Sequence, residues 1–207
     1  KQGKHPAAQK QFETYVSRFG RGGGDDLYLK ALLKIGQSLK ARKNKNKAAI
    51  KAFQRVIAEY GALGDADKAR VTSVGLAACA EALFLEGESV LDELRAVKLR
   101  LPEKVLAKQI DKKLTTLKQA VQIFSNVEEF KQPGWTIAAA SRKGLGFQDL
   151  ATAIERVPPP NSLNDEQKEF FRQGLLEKAQ PVWDRAKGEF SRAVETAREL
   201  KWYNRYS

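Results

Sequence analysis

Two stretches of this chain, "AAQKQFETYVSRFG" at 7–20 and "AAIKAFQRVIAEYG" at 48–61, superimpose at an offset of 41 residues. Identities fall at both alanines, at Lys10 with Lys51, at Phe12 with Phe53 and at Gly20 with Gly61. A segment that returns at such an interval points to stacked helix pairs, because one pair cannot bury its own apolar face. The apolar residues of each copy recur at three- and four-residue steps, which is one face of a helix. In the first copy these are Ala8, Phe12, Tyr15, Val16 and Phe19; in the second, Ala49, Phe53, Val56, Ile57 and Tyr60. Between them, "LYLKALLKIGQSL" repeats the pattern through Leu29, Leu32, Leu33, Ile35, Gly36 and Leu39. In "GRGGGDD", Gly20 is expected to close the first helix, and Asp25 or Asp26 to cap the next.

The same period continues beyond the repeat. A third helix is expected over 66–86, with Val71, Val74, Gly75 and Ala78 at matching steps. Its small "AACAEA" residues call for a closely packed neighbour. "EGES" reads as a turn and cap before a helix over about 89–99. Pro102 suits the first turn of a helix running to about Phe130, with Leu106, Ile110, Leu114, Leu117, Val121 and Phe124 inward. "KQPGW" is a turn, and a helix over 135–157 carries Gly144 followed by Phe147. Three prolines make "VPPPNSLNDEQ" a connector incompatible with helix. Asn164 or Asp165 then caps a long helix with Phe170, Phe171, Leu175, Ala179, Trp183, Ala186, Phe190 and Ala193 inward, kinked at Pro181. No strand pattern competes.

The spacing Leu32, Ile35, Gly36, Leu39 followed by Ala49, Phe53, Val56 resembles the tetratricopeptide repeat, in its first and second helices respectively. At Gly36 a missing side chain lets one helix cross another closely. The sequence departs from that motif in an A-to-B turn one residue longer, in the absent closing proline and in the stretched loop at "FGRGGGDD". The region 132–204, with its Trp-x3-Ala-Ala helix, "PPP" connector and closing "ARELKW", resembles the end region of large repeat proteins of the deltaproteobacterial envelope, some tied to gliding motility. The two resemblances imply an all-α, TPR-like α-solenoid of antiparallel helix pairs, irregular with longer helices in its C-terminal half. Its expected organisation is hairpins over 1–87 and a long-helix extension over 88–207, with a Pro-rich connector at 157–164. They also imply a non-enzymatic scaffold located in the periplasm or at the envelope, a cytoplasmic location being the alternative.

Composition narrows the chemistry. One cysteine, Cys79, rules out an intrachain disulfide, and its alanine neighbours mark it as a small buried residue. The single histidine, His5, lies beside Pro6 near the start and reads as a surface imidazole. Without paired His, Cys or clustered acids, most hydrolytic and metal mechanisms lack their parts, and no cofactor is implied. Glu166, Glu169 and Glu177 fall at helical steps; an unfamiliar enzyme site there competes with a solvated face. No apolar run reaches the length of a membrane span. With Lys1 first and no methionine, the chain is expected to be a processed or partial form.

The net charge of +12 is concentrated early: residues 1–60 hold 14 Lys and Arg against 4 Asp and Glu, and the rest 23 against 21. Part of "SLKARKNKNKAAIK" is accounted for by the end of a helix, where cations suit the macrodipole. The other part is available for an acidic protein segment or an anionic surface. The partner-binding residues expected on this reasoning are Lys30, Leu33, Lys34, Gln37, Lys40, Arg42 and Lys43. Of these, Lys30, Leu33, Gln37 and Lys40 would line the groove, followed on the next repeat by Thr72, Leu76 and Cys79. A nucleic-acid-associated factor using residues 40–55 is the alternative. No aromatic residue of the kind single-strand binders use is interleaved within 38–51, and no DNA- or RNA-binding signature accompanies it.

Overall fold

The computed structural model describes residues 4–42 and 44–206, and among these the chain is all-α. Its helices are α1 (Lys4–Phe19), α2 (Asp25–Lys40), α3 (Asn46–Gly61), the single turn α4 (Asp65–Lys68), α5 (Ser73–Ala96), α6 (Glu103–Glu129), α7 (Pro133–Glu155) and α8 (Asp165–Glu199). Two compact units divide the chain: Lys1–Ser89 with Ser125–Thr136, and Val90–Phe124 with Ile137–Ser207.

In the first unit α1 packs on α2 and α2 on α3. Phe53 and Val56 are fully buried, and Leu29, Leu32 and Leu33 nearly so, in a core completed by Ala78, Cys79 and Ala82 of α5. The contact between α2 and α3 turns on one glycine. A Cβ on Gly36 would lie 2.5 Å from Phe53 Cε1, so the phenyl ring fits only because that carbon is missing. Farther along the pair, Arg55 donates to the Tyr28 hydroxyl at 3.5 Å. Residues early in α2 therefore meet residues late in α3, and the two helices fold back on each other.

Between α1 and α2 the glycine run forms a 3-10 turn over Gly20–Gly23, and Gly24, at φ +98° and ψ 137°, occupies backbone space that side chains avoid. Gly24, not Asp25 or Asp26, is the N-cap of α2; both aspartates lie in its first turn. Asp26 caps a different helix. Its Oδ1 accepts from the backbone N–H of Thr72 at 3.0 Å and of Gly75 at 3.1 Å, and its Oδ2 from the Thr72 hydroxyl at 2.6 Å. These groups sit at the start of α5, whose first amides have no partner within their own helix.

This explains one correction to the sequence reading. The helix expected over 66–86 is broken: α4 ends at Lys68 and α5 starts at Ser73, which frees the amides that Asp26 takes. A second correction concerns "EGES", where no turn forms and α5 continues to Ala96. Ser89 is 1% exposed and its hydroxyl donates to the Leu85 carbonyl of the same helix at 3.0 Å. Burial by the surrounding core outweighs the local turn preference of glycine and serine.

Three links join α2 to α5: Asp26 with Thr72, Gln37 with Glu81 and Lys40 with Leu85, at separations of 46, 44 and 45 residues. A nearly constant separation means that the two helices run side by side in the same direction.

In the second unit α7 and α8 run antiparallel. The Trp183 indole donates to Glu155 at 2.6 Å, Gly144 lies against the Phe190 ring, and Ile137 and Ala140 cluster with Ala193 and Ala197. Buried alanines at 179, 186 and 193 recur every seven residues and keep the α8 seam thin. The connector over 157–164 is non-helical, and Asn164 caps α8 in a reciprocal box with Gln167. Pro181 lies within α8. Phe170, expected inward, is 82% exposed. The physical reason is length: α7 ends where Glu155 meets Trp183, and the first turns of α8 extend past that end with no α7 face to cover them. Among the described residues, no helix is long and apolar enough to cross a membrane.

Candidate functional site

α2 has α1, α3 and α5 against it, and this leaves a narrow exposed strip. Eight of its residues, from Tyr28 to Ser38, are buried. The strip carries Leu27, 53% exposed, followed by Lys30 and Lys34 at helical steps. Opposite it, α1 supplies Phe12 and Tyr15. Together with Ala31 these residues line a groove of about 460 Å3 with an apolar floor and two lysines.

The two lysines differ. Lys30 is exposed and makes no hydrogen bond or ion pair to another described residue. Lys34 donates to Gln37 Oε1 at 2.8 Å, and Gln37 in turn donates to Glu81 on α5. Burial pushes the Glu81 carboxyl above the usual carboxylate range, against the pull of Lys34 and the hydrogen bond from Gln37. Lys34 thus spends part of its field on Glu81, while the charge of Lys30 is uncommitted.

The other residues expected to bind a partner are placed differently. Leu33 is 2% exposed and belongs to the core. Gln37 holds Glu81, and Lys40 donates to the Leu85 carbonyl at 3.2 Å. Arg42 donates to Gln9 Oε1 of α1 at 3.0 Å. Lys43 lies outside the described residues. The face expected to be a groove between α2 and α5 is therefore a packed seam: Thr72 is bound to Asp26, Leu76 is half-buried against the core, and Cys79 is fully buried. Burial pushes the Cys79 thiol up to about 12, which leaves it protonated and unreactive at neutral pH. What the sequence reading missed is the contribution of α1. Its signal was present, since Phe12 and Tyr15 sit on the helix face that repeats at 49–60.

A second polar feature of this unit joins α3 to the glycine turn. Arg21 bonds both the carboxylate of Glu59, at 3.0 Å, and its backbone carbonyl, at 3.1 Å. Burial would raise the Glu59 carboxyl, but hydrogen bonds from Arg21 and Tyr28 and the charges of Arg21 and Arg55 outweigh it. They hold it below the usual carboxylate range. On α8, Glu166, Glu169 and Glu177 are all exposed, and Glu169 pairs with Arg172 at 3.1 Å. This is the geometry of a solvated helix face.

No family model matches the chain, and no curated protein or solved structure does either.

Proposed function

We propose that this chain is a non-enzymatic interaction scaffold of tetratricopeptide-repeat type, and that the α1/α2 groove receives an acidic, partly apolar segment of a protein partner. The observation that carries the reading is the groove itself: exposed Leu27 and an apolar floor beside Lys30, a cation with no carboxylate partner among the described residues. A partner carboxylate meeting Lys30 beside that floor would be partly desolvated, where a charge-assisted bond is stronger than in open water. The repeat reading is supported by the 41-residue offset, the Gly36–Phe53 crossing and the same-direction run of α2 and α5. The excess of 14 cations over 4 acids in residues 1–60 supports an acidic partner. The likeness of 132–204 to envelope repeat proteins supports a place in a periplasmic or envelope assembly.

The test is fluorescence anisotropy with a labelled amphipathic helical peptide of Glu and Leu, alongside its Lys and Leu counterpart. The acidic peptide should bind and the basic one should not. Lys30→Glu and Leu27→Asp, both at exposed positions, should each weaken binding about tenfold or more. Unchanged affinity in both variants would refute the groove. Equal binding of a 20-nucleotide single strand would favour the nucleic-acid reading instead.

A further inference from the structure

The second unit contains a different arrangement of charge. A polar cavity of about 380 Å3 is lined by Arg95, Lys98, Lys113, Asp149, Thr152 and Arg156. Four cations and one carboxylate share this space, and the carboxylate is already taken: Arg95 Nε donates to Asp149 Oδ2 at 2.7 Å, with Asp92 on the far side of the same guanidinium at 3.2 Å. Lys98 and Arg156 are exposed, and their side chains make no hydrogen bond or ion pair to another described residue.

Lys113 is the decisive residue. It is 2% exposed, and among the described residues its ammonium bonds only the Leu94 carbonyl, in the last turn of α5, at 2.7 Å. An ammonium has three N–H donors, and a buried charge is stable only when it is paired and well bonded. The neutral carbonyl of Leu94 gives Lys113 a capping role but no ion pair; the charge of Asp149 acts on it only at a distance, because that carboxylate bonds Arg95.

We propose that this cavity binds a phosphate group carried by a small molecule. A dianion matches the surplus better than a monocarboxylate or chloride: with both Asp149 and Asp92 set against the four cations, two positive charges remain. Lys113 meets the anion from inside and Lys98 and Arg156 from the rim. The Arg156 fork suits two phosphate oxygens, and the Thr152 hydroxyl is available as a further donor. Burial lowers Lys113 from the usual lysine range, opposed by the charge of Asp149 and reinforced by that of Lys98, and a bound dianion would draw it back up. This site is independent of the α1/α2 groove, and neither stands or falls with the other.

Calorimetric titration of the whole chain with inorganic phosphate, pyrophosphate and glycerol phosphate, at matched ionic strength, tests the assignment, with sodium acetate as the monoanion control. Saturable one-to-one binding of at least one phosphate compound, and none of acetate, is expected. The double variant Lys98→Gln/Arg156→Gln alters only exposed, unbonded side chains and should keep the thermal midpoint of the unliganded protein. It should lose about tenfold in affinity per residue. Lys113→Met should abolish binding; because it also removes the α5 cap, the double variant is decisive should that protein fail to fold. No saturable binding up to 10 mM ligand (about the weakest useful affinity), equal binding of acetate, or wild-type affinity in the double variant would each overturn the proposal.

Discussion

Replacing Gly36 by alanine separates tertiary packing from helix propensity at one atom. In an open helix position the added methyl stabilises by about 1 kcal/mol, through lower backbone entropy in the unfolded chain. At Gly36 the new Cβ would stand 2.5 Å from Cε1 and 2.6 Å from Cδ1 of Phe53. Ordinary carbon contacts begin near 3.5 Å, so the ring must retreat by about 1 Å. Phe53 is 0% exposed and has no solvent to swing into. Overpacking of this kind costs about 1–3 kcal/mol, so the net change at Gly36→Ala is a loss of about 0–2 kcal/mol. Gly188 on α8 is the internal standard, since nothing lies within 4 Å of a Cβ placed there, and Gly188→Ala should stabilise by about 0.5–1 kcal/mol. Urea unfolding of both variants, followed by far-ultraviolet circular dichroism, measures the contrast. Adding Phe53→Leu to Gly36→Ala should recover part of the loss relative to Phe53→Leu alone, a coupling that only contacting residues show. If Gly36→Ala stabilised the protein as much as Gly188→Ala does, the close α2–α3 crossing would be refuted.

Two further outcomes concern the polar contacts of the first unit. Asp26→Ala removes three bonds to the start of α5 and should destabilise by about 1–2 kcal/mol, with hydrogen exchange rising first at 72–76; unchanged protection there would contradict the cap. Glu59 is held below the ordinary glutamate value of 4.5, so its stabilisation is full above that value and fades as pH falls through the folded one. For this half-exposed pair the effect is about 0.2–1 kcal/mol. Glu59→Gln should therefore be less stable than the parent at pH 7 and converge with it in acid, and a pH-independent difference would contradict the ion pair.

The helices themselves were legible in the sequence because their apolar residues recur at helical steps and their ends carry local signals. The cap expected at Asn164 or Asp165 is such a signal, and Asn164 takes it. The failures arise where distant residues decide. Asp26 looks like a cap for its own helix, and only the run of α2 beside α5 brings Thr72 and Gly75 within its reach. "EGES" looks like a turn, and the burial of Ser89 keeps it helical. Phe170 continues the apolar stripe of α8, yet the shorter α7 does not extend far enough to cover it. Nothing local marks Lys113, 2% exposed, as buried.

The candidate groove was half legible for a related reason. Helical steps set Lys30 with Leu33, Gln37 and Lys40, whereas the open strip of α2 carries Lys30 with Lys34 and Leu27. They could not tell Leu33 and Gln37, which other helices cover, from Leu27, which none does. Burial on three sides of α2 is a tertiary fact, and it moves the open surface from the α2–α5 side to the α1 side.

Where a partner lands can be read by hydrogen–deuterium exchange of the whole chain, with and without the saturating Glu/Leu peptide. If the α1/α2 groove is the docking surface, new protection should appear in the peptides spanning 8–19 and 25–35 and be lost in Lys30→Glu, with 72–89 unchanged. Protection confined to 72–89 or to the second unit, or unaltered by Lys30→Glu, would contradict it.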